Sequence, residues 1–182
     1  MAASSRQERA WVRGARAGSA ADLEALFREY WPRAYRAAYL VVHDAAAAED
    51  VAQEAFLAAL RALDRFDRRR PFGPWLHRIV VNRAIDWARA RTLRGEVFAE
   101  GLLDVAAPAS EAPGPRAPYA DVTLAALSDL SPEHRAVIVL RYLLEYTPGE
   151  IADLLELPRG TVNSRLRRGL DQLGGRLEKD EP

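Results

Sequence analysis

This sequence predicts an all-α fold of two small helical domains joined by a flexible linker, on three observations. Apolar residues recur at three- and four-residue steps through most of the chain, the pattern of helices that bury one face. No segment of any length alternates with the two-residue period of a strand, and nothing repeats at a fixed spacing. Between residues 95 and 120, Pro108, Pro113, Gly114, Pro115 and Pro118 stand among alanines, a composition that supports no packed element and suits a tether. A chain of 182 residues can divide into two small cores on either side of it. The expected parts are a first domain over 1–94, the linker 95–120, a second domain over 121–176 and a tail over 177–182.

Taken in order, Arg6 to Ala17 reads as a weak helix. Leu23, Phe27, Tyr30, Ala34, Ala38 and Val42 then mark an amphipathic helix from Ala20 to Val42, with a kink or break expected at Pro32. Asp44 suits the N-cap of a helix running from Ala45 to about Phe66, whose buried stripe is Val51, Ala55, Ala59, Leu63 and Phe66. That stripe leaves Asp50, Gln53 and Glu54 toward solvent. A loop from Asp67 to Gly73 follows, and Pro74 is placed at the first position of a helix that carries Trp75, Ile79, Asn82, Asp86 and Arg89 to about Arg91.

Beyond the linker, Ser131-Pro132-Glu133 sets an N-cap before a helix-initiating proline, and Thr147-Pro148-Gly149-Glu150 has the spacing of a capping box. The helix from Pro148 runs to about Leu155. A tight turn follows, and Pro158 opens a last helix with Val162, Leu166, Leu170 and Leu173 on its buried face. The final 27 residues of this stretch, Thr147 to Leu173, thus have the length and patterning of a helix-turn-helix.

Composition narrows the function. The chain has no cysteine, and His43, His77 and His134 lie far apart without helical pairing, so neither a metal nor another cofactor is expected. No convergent set of carboxylates, nucleophile and base stands out, so catalysis is not expected. The longest apolar runs, such as Ala37 to Val42, are too short to cross a bilayer, which points to a cytoplasmic protein without direct membrane insertion.

A net charge of zero conceals a strong segregation. Nine arginines between Arg65 and Arg94 face only Asp67 and Asp86, and five between Arg159 and Arg176 face only Asp171. Between these basic islands, from Glu96 to Pro158, eleven acids face three arginines. Lys179 is the sole lysine, and so arginine-rich a composition fits a GC-rich genome as well as phosphate recognition.

Each island suits a different form of nucleic acid. On the last helix Ser164 and Arg168 fall opposite the leucine stripe, Asn163, Arg165 and Arg167 flank them, and Arg159 stands at the entry. Guanidinium groups there suit phosphate or guanine, and the amide suits adenine in a duplex groove. In the first island Arg68, Arg69 and Arg70 sit beside Phe66, Phe72 and Trp75, with Asn82, Arg83 and Trp87 on the helix that follows. Cations track a backbone, aromatic faces accept unstacked bases and amides read their exposed edges, the combination that single strands need. The same aromatics at helical spacing also suit a core, so strand opening does not follow from them alone.

The segments Ala48-Glu49-Asp50-Val51-Ala52-Gln53-Glu54-Ala55-Phe56, Arg61-Ala62-Leu63-Asp64-Arg65-Phe66, Pro71-Phe72 and Trp75-Leu76-His77-Arg78-Ile79 with Asn82 resemble sigma region 2. Leu130-Ser131-Pro132-Glu133-His134-Arg135, Leu140-Arg141-Tyr142, Glu150-Ile151-Ala152 and Gly160-Thr161-Val162-Asn163-Ser164-Arg165-Leu166 resemble sigma region 4. Their order and spacing are similar to the extracytoplasmic-function group of sigma-70 factors, the non-catalytic subunits that direct bacterial RNA polymerase to promoters.

The resemblance implies that Asp50, Gln53 and Glu54 dock on the clamp helices of core RNA polymerase. It implies that the loop from Arg65 to Gly73, with Phe66, Arg68, Arg69, Arg70, Phe72 and Trp75 in or beside it, captures a flipped base of the minus-ten element. Asn82 and Arg83 would then help hold the melted non-template strand. It implies that Arg159, Thr161, Asn163, Ser164, Arg165, Arg167 and Arg168 face the duplex minus-thirty-five element, partly reading its shape. It further implies association with the nucleoid within the holoenzyme and an anti-sigma partner.

Two departures from the family pattern stand out. Glu156 occupies a turn position where glycine is common, and a left-handed non-glycine residue costs roughly 1 kcal/mol. Asn163 occupies a position where lysine or arginine is common, which should shift base preference or weaken a phosphate contact. The rival reading is a duplex-binding regulator that works without polymerase, with residues 1–94 as a sensor or oligomerisation unit.

Overall fold

The structure is a computed structural model that describes residues 5–94 and 120–177. All eight α-helices among them belong to two groups: α1 (Ser5–Arg16), α2 (Ala20–Val42), α3 (Ala45–Ala62) and α4 (Phe72–Leu93), then α5 (Ala120–Ser128), α6 (Pro132–Ile138), α7 (Pro148–Leu155) and α8 (Arg159–Leu177). No strand occurs among the described residues. The proline-rich stretch 95–119 and residues 178–182 of the tail lie outside them.

Alanine builds the first group. Ala34, Ala37 and Ala38 of α2, Ala48, Ala52, Ala55 and Ala59 of α3, and Ala84 of α4 are all buried. Alanine favours helix at no side-chain entropy cost, and its small volume lets three helices pack closely along their lengths. Larger plugs fill the ends, with Leu26 and Phe72 at 1% exposure. The expected α3 stripe of Val51, Ala55, Ala59, Leu63 and Phe66 is buried throughout. Asp44 caps α3 as expected, its carboxylate accepting from the Ala47 N–H at 3.0 Å.

Several elements depart from the sequence reading. The chain remains helical through Pro32, which sits on the exposed side of α2, where water can serve the carbonyl that a proline frees. The helix from Ala45 ends at Ala62, and Leu63–Arg65 form a single 3₁₀ turn. The helix expected to open at Pro74 opens at Phe72 instead. Pro74 is still within its first turn, where no intrahelical partner awaits an N–H. Phe27, expected on the buried face of α2, is 43% exposed, and Leu26 takes the core position. Ala120, assigned to the linker, is the first residue of α5, a helix with no clear sequence signal.

In the second group, Ser131 caps α6 and Thr147 caps α7, the latter in a full capping box with Glu150. A π-helical turn, Val139–Leu143, extends α6, and the Leu144 N–H reaches back to the Val139 carbonyl at 3.1 Å. On α8, Val162 and Leu166 are buried as expected, but Leu170 is 40% exposed. A four-residue step overshoots one helical turn by about 40°, so by Leu170 the stripe has rotated out of the core. Gly169 falls on the buried line in its place. A Cβ there would meet the tip of the Ile138 side chain at 2.8 Å, so a larger residue would have to displace that side chain of α6.

The two groups also touch. The Arg89 Nε donates to the Glu133 carboxylate at 2.6 Å, the His77 Nδ1 and the Tyr146 hydroxyl share a hydrogen bond at 2.8 Å, and Arg78 pairs with Glu156 at 2.5 Å. This seam sets α4 against α6 and α7.

Candidate nucleic-acid interface

Between the 3₁₀ turn and α4, residues 66–71 form an irregular loop carrying the densest run of positive charge. Its own bonds are few: the Asp67 carboxylate accepts from the Arg69 N–H at 3.0 Å, and the Arg70 N–H donates to the Asp67 carbonyl at 2.9 Å. These bonds turn the chain tightly and leave Arg68, Arg69 and Arg70 exposed. Under the turn lies an open pocket of about 340 Å³, lined by Ala62, Arg65, Phe66, Asp67, Arg70 and Trp75. Four of the residues singled out in the sequence therefore converge on one concavity.

The aromatics divide into two roles. Phe72, at 1% exposure, is core and beyond the reach of any ligand, which corrects its placement among candidate contacts. Its ring lies 5.3 Å from Tyr30, 5.9 Å from Phe66 and 5.6 Å from Trp75, so it sets the floor on which those rings rest. Phe66 is largely buried, whereas Trp75 is half-buried and meets Phe66 at 4.6 Å between centroids. The pocket wall is thus a supported aromatic surface flanked by Arg65 and Arg70, suited to a planar base on a phosphate chain. Asn82 lies two turns further along α4, half-exposed.

Arg83 pairs with Glu54 of α3 at 2.9 Å, the arginine half-buried and the glutamate open to solvent. That contact joins the face proposed for the melted strand to the face proposed for polymerase. Asp50, Gln53 and Glu54 are exposed as expected, and Leu57 and Leu60 continue the same face as exposed apolar residues that sequence reasoning did not single out. Two exposed leucines thus stand beside three polar groups on one face of α3.

On α8, Arg159, Asn163, Arg167 and Arg168 are exposed, while Thr161, Ser164 and Arg165 are half-buried. The Ser164 hydroxyl donates to the Thr161 carbonyl at 3.2 Å within its own helix, which keeps its lone pairs available as acceptors. Glu156 has φ 54° and ψ 43°, a regular left-handed cap of α7 whose N–H reaches the Ala152 carbonyl. The turn is therefore left-handed at a non-glycine residue without being distorted. The side chain reaches Arg78 across the seam, a contact that glycine could not make.

Two histidines stand apart from these surfaces. Burial lowers His77 from its usual 6.5 to about 4, with Arg33 adding to the effect, and lowers His43 to about 3, with Arg135 adding to it. Both are neutral at physiological pH. Among the described residues, no group of three or more His, Asp or Glu side chains converges to hold a metal ion, and no helix is long and apolar enough to cross a membrane.

Sequence reasoning missed Glu8 and Arg16 of α1. The Arg16 Nη2 donates to the Asp64 carbonyl at 2.8 Å, and the Glu8 carboxylate accepts from the Phe72 N–H at 2.9 Å and from the Tyr30 hydroxyl. Separations of 48 and 64 residues leave no local pattern that could have revealed them.

Comparison with known proteins matches both groups. The Sigma-70 region 2 family model matches residues 26–94 and the Sigma-70 region 4 model residues 121–173. The ECF RNA polymerase sigma factor SigL of Mycobacterium tuberculosis is 38% identical over 160 residues, 85% of this chain and 88% of its own. The ECF RNA polymerase sigma factor SigW of Bacillus subtilis is 31% identical over 164 residues, 81% of this chain and 84% of its own. Among solved structures, CnrH in complex with the cytosolic domain of CnrY matches 96% of this chain and 99% of its own, with a TM-score of 0.71 at 28% identity. RpoE in complex with the anti-sigma factor NepR from Bartonella quintana matches 88% of this chain and 99% of its own at a TM-score of 0.69. At 22% identity that match is a likeness of fold.

Proposed function

The chain belongs to the extracytoplasmic-function group of the sigma-70 family and as such directs RNA polymerase to promoters for initiation, and from that premise we propose a division of labour among its surfaces. The first domain, residues 1–94, docks on core polymerase through Asp50, Gln53 and Glu54. It captures a flipped base of the minus-ten element in the pocket of Arg65, Phe66, Arg70 and Trp75. Arg68 and Arg69 attract the phosphates, and Asn82 and Arg83 hold the non-template strand along α4. The second domain, residues 121–176, reads the minus-thirty-five duplex with the exposed side of α8.

The pocket carries this reading. It places an aromatic wall and two guanidinium groups around a concavity next to a helix with a half-exposed amide, the chemistry of an unstacked base on an anionic strand. Flipping costs a few kcal/mol, which phosphate contacts and the pocket offset. CnrH, at 28% identity, is solved with the cytosolic domain of CnrY, and a protein partner of the anti-sigma kind belongs to the same reading for this chain. Action within the cytoplasm, on the nucleoid, belongs to the same reading.

Run-off transcription from a promoter library, with core polymerase in the presence and absence of the chain, tests the proposal. Promoter-dependent initiation should appear only with the chain. Asn82→Ala should then slow open-complex formation on duplex promoters, and a pre-melted template should restore most of the activity. Equal loss on both templates would exclude a melting role for Asn82.

A further inference from the structure

The pocket loop is tied at both ends to α1, a helix that precedes the residues matched by the region 2 family model. Where the chain enters the 3₁₀ turn, the Arg16 guanidinium donates to the Asp64 carbonyl at 2.8 Å and lies 3.5 Å from its carboxylate. Where the chain leaves the loop, the Glu8 carboxylate accepts from the Phe72 N–H at 2.9 Å. Pro71, the N-cap of α4, makes no side-chain cap bond, so Glu8 supplies from a distance the acceptor and the negative charge that a helix start favours.

The same carboxylate fixes a second support. Its other oxygen accepts from the Tyr30 hydroxyl, and burial together with Glu8 holds that phenol far above its ordinary range, fully protonated. The Tyr30 ring in turn lies against Phe72 and so close to Gly73 that a Cβ there would stand 2.9 Å from it. Glu8 and Arg16 are eight residues apart on one helix, about 12 Å along its axis and near one face. A single rigid element therefore sets the distance between the two ends of a loop that has little internal bonding.

We infer that α1 is a brace for nucleotide capture, in which Glu8 and Arg16 act as positioning residues that hold the loop ends at the separation giving the pocket its shape. Neither touches the strand. They act through Arg65, Phe66, Arg70 and Trp75. The inference rests on the pocket being the site of base capture, and the experiment separates the two.

The test uses the full chain with core polymerase, bound to a pre-melted promoter recovered from the run-off library. In one series each non-template base of the minus-ten element is replaced in turn by an abasic site. Trp75→Ala should weaken binding on intact DNA and lose its effect when one particular base is absent, which identifies the captured position. Arg16→Ala and Glu8→Ala should each weaken binding about fivefold on intact DNA and have almost no effect on DNA abasic at that same position. Arg16→Lys and Glu8→Gln, which keep a donor and an acceptor, should recover most of the loss.

A variant that merely folds poorly would lose binding equally on both DNAs and overturn the brace, as would wild-type binding by both alanine variants. If Trp75→Ala couples to no abasic position, base capture itself fails and the brace fails with it. If Trp75 couples while Glu8 and Arg16 do not, only the brace is lost.

Discussion

The loop after Arg65 and the start of α8 both expose arginines, yet opposite means hold them in place. On α8 the backbone satisfies itself: successive turns support one another, Val162 and Leu166 anchor one side, and the exposed side follows from helical period alone. The loop has only the turn at Asp67, and its form depends on Phe72 beneath it and on α1 at its ends. A duplex groove is a regular target that a regular helix can follow, whereas a single flipped base needs a concavity, and concavities come from irregular backbone held by its surroundings. The second surface should therefore tolerate local change that the first does not.

Several experiments break or sharpen this contrast, and one optical feature makes them readable. Trp11, Trp31, Trp75 and Trp87 all lie in the first group, so tryptophan fluorescence follows that group while far-UV circular dichroism follows both. The largest effect is expected from Phe72→Ala, which removes the floor of the pocket and should destabilise the first group by about 3 to 5 kcal/mol in denaturant titrations. A change below about 1 kcal/mol would mean that the loop does not depend on this ring.

Acidification comes next. His77 and His43 titrate near 4 and 3 when folded against 6.5 when free, so the unfolded chain takes up protons first as pH falls. Their full contribution to stability is present above about pH 6.5 and declines as pH falls to about 4 for His77 and about 3 for His43, by about 2 kcal/mol for each at pH 5. Because His77 lies at the seam with Tyr146, fluorescence and dichroism should shift together over this window. A stability profile that is flat from pH 7 to 5 would contradict the burial of both rings.

Thr147→Ala removes the cap of α7 and should lower the stability of the second group by about 1 kcal/mol. The dichroism midpoint should move while the fluorescence midpoint stays, unless the seam makes the two groups unfold as one. Arg168→Ala should leave the fold intact and reduce the slope of log affinity against log salt by about 0.9 for a duplex carrying the upstream element, the signature of one lost phosphate contact. An unchanged slope would place Arg168 in solvent. Glu156→Gly should have the smallest effect. Relief of the left-handed strain, about 1 kcal/mol, opposes loss of the exposed pair with Arg78, so a net change within about 1 kcal/mol in dichroism melts is expected.

What could be read in advance follows the same divide. Helices, caps and the α3 stripe were legible because their determinants lie within a few residues: Asp44 on Ala47, Ser131 on His134, Thr147 on Glu150. The family was legible from motif order. The exposure of Leu170 and Phe27 was not, because counting in fours ignores the drift of the helical period over several turns. The fate of the aromatics was not, because Phe72 and Trp75 are three residues apart in similar company and only tertiary packing sends one inward and leaves the other at the pocket. Glu8 and Arg16 had no local pattern at all.

The ion pair between Arg78 and Glu156 also has a meaning in length. Elements centred near minus ten and minus thirty-five are about 25 base pairs apart, roughly 85 Å along a duplex rising 3.4 Å per pair. In the structure the turn before α8 touches α4 at 2.5 Å. If one molecule holds both elements at once, as proposed, this contact has to part, and the 25 residues between Arg94 and Ala120, at up to about 3.5 Å each, give the chain the covalent reach to allow it. On this reading the pair between Arg78 and Glu156 holds the molecule folded back on itself, and a grip on both elements at once is expected to break it.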